Sequence, residues 1–128
     1  MDKKDIKALA LSPLAGFRHK EVIVKEWGGA VVVVREPSAE AWLRWNEITK
    51  KVNNPEEGDP ELSEEEKFDI SRSGDVAMFI DVLLDSDGNT IFSVEDAEEL
   101  KRVYGPVHTR LLSNAVGMVS NSAEAEKK

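Results

Sequence analysis

The chain contains no cysteine. Disulfides, thiol nucleophiles and thiolate metal sites are therefore excluded, and the lack fits an intracellular protein. Histidine is almost missing as well, with His19 and His108 the only two. His108 is followed at i+4 by Leu112, so no helical zinc pair forms. No serine stands in a nucleophile-elbow context. Gly28-Gly29 falls between two β-branched runs, not between a strand and a helix, which removes a phosphate loop. No apolar run is long enough to cross a bilayer, and MDKKDIKALALSPLAG holds too short an apolar stretch for a secretory leader. Basic charge is in the minority: 17 Lys and Arg stand against 25 Asp and Glu, a net charge of −8. A phosphate backbone is a poor partner for such a surface. The expectation is a chain that is not an enzyme and needs no cofactor, no metal, no nucleic acid and no membrane.

What is present suits one soluble domain. In 128 residues, 41% are hydrophobic and 33% charged, enough for a modest core. The pattern predicts an α+β fold, a mostly α-helical single domain with an N-terminal β-hairpin. It spans residues 1–120, and a flexible C-terminal tail follows at 121–128. Asp2 caps a first helix through Leu11, with Ile6, Leu9 and Ala10 at helical spacing. Val22-Ile23-Val24, Trp27-Gly28-Gly29 and Val31 to Val34 read as strand, turn and strand, because adjacent glycines allow the positive φ of a tight connection. Ser38 and Glu40 open a helix bearing Trp42, Trp45, Ile48 and Val52 on one side. Asn53 to Glu66, with its prolines and acids, is a loop, and Ser63 with Glu66 forms a capping box for the next helix. That helix turns Val76, Phe79, Ile80 and Leu83 inward, and Gly74 is expected to kink or divide it. A helix from Val94 to Tyr104 follows. Gly105 then ends it and Pro106 starts the last one, the usual placement of these two residues.

DSDGNTIFSVED, Asp85 to Asp96, imitates a calcium loop. Asp85, Asp87 and Asn89 fit ligand positions 1, 3 and 5. Position 6 is Thr90 where glycine is wanted, and position 12 is Asp96, whose arm is short for bidentate contact. A local reading also accounts for the stretch. Asp87-Gly88 turns, Thr90 to Phe92 extends, and Ser93 with Asp96 caps a helix. A calcium-binding module at Asp85–Asp96 stays an alternative at this point.

Function then rests on surface. Trp27 at a hairpin tip either folds back over the hairpin or a helix, or stands out as an anchor for a partner. The run Val31 to Val34 is apolar on both strand faces. Either helices cover both, or another copy of the chain covers one face or edge. The residues expected to bind a partner or a second copy are Ile23, Trp27, Val31 and Val33, then Leu112, Val116 and Val119 of the last helix.

Three stretches in order carry a family likeness: EVIVKEWGGAVVVVREPSAEAW, DVAMFIDVLLDSDGNTIFSVEDAEEL and the closing amphipathic helix. Together they cover most of residues 17 to 120 and resemble the tail assembly chaperones of long-tailed (siphovirus-type) bacteriophages. The resemblance implies a non-enzymatic factor of the host cytoplasm, absent from the mature virion. It implies binding and solubilising of the tape measure protein, and recruitment of the major tail tube protein, often by a longer form made by ribosomal frameshifting. It also implies a homo-oligomer. The closing Glu126-Lys127-Lys128 is compatible with a slippery codon run. A second alternative from charge alone is an acidic DNA mimic. However, the acids cluster at 56 to 66 and 95 to 99 and are interrupted elsewhere by basic residues.

Overall fold

A computed structural model of the chain describes the backbone of residues 1–126 and the side chains of 1–119. The expected tail, 121–128, lies outside the described side chains. The elements are α1 (Lys3–Ala10), β1 (His19–Val24), β2 (Ala30–Arg35), α2 (Ala39–Asn53), α3 (Glu64–Val82), β3 (Leu83–Leu84), α4 (Ala97–Val103) and α5 (Pro106–Glu126). This is the expected α+β arrangement, one helical domain built around an N-terminal hairpin, with one strand more than the sequence pattern shows.

The helix starts are set by local chemistry. Asp2 accepts the Asp5 N–H at 2.9 Å, and Ser38 accepts that of Ala41 at 3.1 Å. Ser63 and Glu66 satisfy each other's backbone N–H groups in a reciprocal capping box. In the hairpin, a 3-10 turn at Lys25–Trp27 leads into Gly28 and Gly29. Both glycines have positive φ, 67° and 78°, which is strained for any residue with a Cβ. The expected Val94–Tyr104 helix opens as a 3-10 turn, Val94–Asp96, before α4.

The sheet is antiparallel in the order β1-β2-β3. Its register sorts the valines by face. Val22, Val24, Val32 and Val34, joined by Leu83 of β3, turn toward α3 and α5 and form the core with Phe79, Val82, Leu111 and Ala115. Burying a side chain such as Phe79 or Leu111 contributes about 1.5–3 kcal/mol each. His19, Glu21, Ile23, Val31, Val33 and Arg35 turn the other way, with Leu84.

Gly74 corrects an expectation. α3 runs unbroken through it, and Gly74 is buried. A Cβ there would stand 2.6 Å from Cγ2 of Thr49 and 3.0 Å from Cδ1 of Trp45. The glycine is a contact point where α2 closes on α3. Accordingly, Ala41 and Thr49 are the deepest residues of α2, while the expected face of Trp42, Trp45, Ile48 and Val52 is half-buried.

Candidate functional site

The outer sheet face is divided. Val33 is 4% exposed and Leu84 2%. The N-terminal connector approaches this end: the Arg35 guanidinium stands 4.3 Å from the centroid of the Phe17 ring, and Leu14 lies against Gly88. Toward the hairpin tip the face is open. Ile23 and Val31 stand directly opposite each other and are 64% and 43% exposed. Of the four hairpin residues expected to bind, these two form a free apolar pair. Val33 belongs to no free surface, because a central strand residue flanked by Leu84 is already covered.

Trp27 folds back. Its ring is half-buried and meets His108 of α5 edge-on at 5.5 Å. Glu26 beside it takes a bidentate bond from Arg110, at 2.7 and 2.9 Å. That guanidinium holds the exposed Glu26 carboxyl down to about pKa 2. His108 stacks on Tyr104 at 5.1 Å, and its Nδ1 accepts the Gly105 N–H at 3.1 Å. Burial pushes the His108 pKa down. The imidazole is thus a neutral cap and a packing plate. The hairpin tip is fastened to α5 by one ion pair and one aromatic contact.

Under that tip lies a cavity of about 600 Å³ lined by Trp27, Phe92, Leu100, Val103 and His108, with Asp96 and Glu99 also in its wall. The sequence reading found Trp27 but not this cavity, because its walls come from β1–β2, α4 and α5. Farther along α5, Leu111 and Ala115 are fully buried. Leu112, expected to bind a partner, packs against the core, while Val116 and Val119 are half-buried. These three therefore do not join Ile23 and Val31 in one patch with full exposure.

Every residue of α1 is exposed. Ile6, Leu9 and the following Leu11 are 55%, 56% and 75% exposed.

The Asp85 turn is closed by its own groups. The Asp85 carboxylate accepts the N–H of Asp87 and of Asn89 at 2.9 and 3.0 Å, and Ser93 and Asp96 cap each other. Among the described residues, no group of three or more His, Asp or Glu side chains is placed to hold a metal ion. No described helix is long and apolar enough to cross a membrane.

A structure described as that of the bacteriophage HK97 tail assembly chaperone superposes with a TM-score of 0.78. It shares 44% identity, over 91% of this chain and 99% of that one. The sequence profile of the phage tail assembly chaperones matches residues 5–128. The chain belongs to the phage tail assembly chaperone family. No curated protein sequence matches it.

Proposed function

We propose that the chain binds the tape measure protein during tail assembly, keeps it soluble and helps bring the tail tube protein to it. The observation that carries this reading is apolar surface left open on an acidic chain. Ile23 and Val31 form an exposed pair, and α1 with the residue after it offers Ile6, Leu9 and Leu11, on a protein of net charge −8. A tape measure chain is long and helical and shows apolar stripes until a tube encloses it. Helix-in-groove and helix-on-sheet contacts are the modes that shield such stripes. Net negative charge keeps the shield itself dispersed.

In this reading the chain works in the host cytoplasm, stays out of the finished particle, makes and breaks no covalent bond, and self-associates along its partner. A longer frameshifted form would carry the contact to the tube protein. Support comes from membership of the chaperone family and from the unpartnered apolar residues. The test is co-expression of a tape measure fragment with wild type and with Ile23→Asp/Val31→Asp. The wild type should keep the fragment soluble and the variant, though folded, should not. A folded variant that protects as well as wild type removes the outer sheet face from the reading.

A further inference from the structure

We infer that α1 of one copy docks in the acid-walled cavity beneath the hairpin tip of a second copy. The inference deepens the self-association included in the proposed function and rests on it.

Both halves of the contact are on the molecule. α1 is an amphipathic helix with no buried residue. At the helical step, Ile6, Leu9 and Ala10 form one stripe, and Lys3 and Lys7 run along its edge. The cavity offers the matching pattern: an apolar lining of Trp27, Phe92, Leu100 and Val103, with carboxylates at Asp96 and Glu99. Glu99 is exposed and in no ion pair among the described residues. Of the cations nearest in the chain or at the hairpin tip, Lys101 is held by Asp69 at 2.7 Å and Arg110 by Glu26, and Arg102, three residues along α4, forms no ion pair with Glu99 among the described residues. A basic apolar helix meeting an acidic apolar cavity is complementary in both respects. Leu9 would fill the cavity and Lys7 would face Glu99.

Position favours a second copy. The α1 connector lies at the Arg35 end of the ladder, by Phe17, while the cavity lies at the Trp27 end. The ladder between them spans about 17 Å at the usual strand rise. Donor and acceptor at opposite ends give a head-to-tail contact, in which each copy uses one of each.

The test uses two variants at exposed positions, Leu9→Asp and Val103→Asp, so that folding is preserved. Light scattering over a concentration series should show wild type associating and each variant at least tenfold weaker alone. An equal mixture of the two should form a one-to-one complex, because one variant keeps its cavity and the other its α1. Lys7→Glu with Glu99→Lys in one chain should recover association that each change alone weakens. The inference is overturned if either variant associates like wild type, if the mixture gives no complex, or if wild type is monomeric because α1 folds onto its own chain. It is equally overturned if Val103→Asp abolishes tape measure protection with mass unchanged, which assigns the cavity to another protein. Ile23→Asp separates the readings: association lost there but kept in Leu9→Asp leaves self-association standing and removes the α1 contact.

Discussion

Asp81 of α3 holds Arg35 at the end of β2 with both carboxylate oxygens, at 3.1 and 3.3 Å. The same carboxylate accepts the N–H and the hydroxyl of Ser38, each at 2.8 Å. One side chain thus ties the strand, the start of α2 and the last turn of the core helix. Both charged side chains are largely buried, at 12% and 15% exposure. Asp81→Ala would leave the Arg35 charge with only the Glu36 carbonyl and the Phe17 ring, and the Ser38 N–H without its partner. The expected loss is about 3 kcal/mol in urea unfolding. Arg35→Lys should fall in between, since a lysine keeps the charge but not the fork. A loss below about 0.5 kcal/mol for Asp81→Ala, the level of an ordinary surface change, would show the tie to be idle.

Gly74→Ala would ordinarily favour a helix by about 1 kcal/mol. Here the added methyl would stand 2.6 Å from Thr49 Cγ2, and α2 must move. A net destabilisation of about 1–3 kcal/mol is expected. Thr49→Ser removes that methyl carbon and should recover much of the loss in the double variant. An unchanged or raised melting temperature in Gly74→Ala would mean that the two helices do not close here.

The hydroxyl of Tyr104 is buried and makes no hydrogen bond among the described residues. Burial, then the nearby Asp75 charge, raises its pKa well above that of a free phenol. Tyr104→Phe keeps the ring against Phe79 and Arg72 and deletes an unsatisfied group. It should be neutral or stabilise by about 1 kcal/mol. A clear loss of stability would reveal a partner for the hydroxyl.

His108 links stability to pH. Burial lowers its folded pKa below the ordinary 6.5, so the unfolded chain binds the proton first. Its contribution is present above the unfolded value and is lost as pH falls from about 6.5 through the lowered folded value. Protonation would also break the Gly105 cap, because Nδ1 is the acceptor. Wild type should therefore lose more stability than His108→Asn between about pH 7.5 and about pH 5.5. Equal losses would mean that the imidazole takes up its proton alike in the folded and the unfolded chain.

Much of the fold was legible because the signals are local. Asp2, Ser38, Ser63 with Glu66, and Gly105-Pro106 each act within a few residues, and the structure places helix ends at all of them. The hairpin followed from paired glycines between β-branched runs. What stayed hidden depends on distant partners. Leu83-Leu84 continues the apolar pattern of α3 and becomes a strand only by pairing with Val33 and Val34. Gly74 looks like a helix breaker until Trp45 and Thr49 are brought to it. Val33 and Val31 are alike in sequence, yet one is buried beside Leu84 and the other is open. Trp27 was conspicuous, but the cavity beneath it needs Phe92, Leu100 and His108 from elements far along the chain.

The proposed function is, at bottom, the shielding of apolar surface on another protein. Purified chain should be mixed with unfolded tape measure protein while the denaturant is diluted, and turbidity and complex mass followed together. Suppressed turbidity and a soluble complex, with both effects lost in Ile23→Asp/Val31→Asp, are predicted. Aggregation of the tape measure protein at the same rate with or without the chain, and no complex at any ratio, would contradict it.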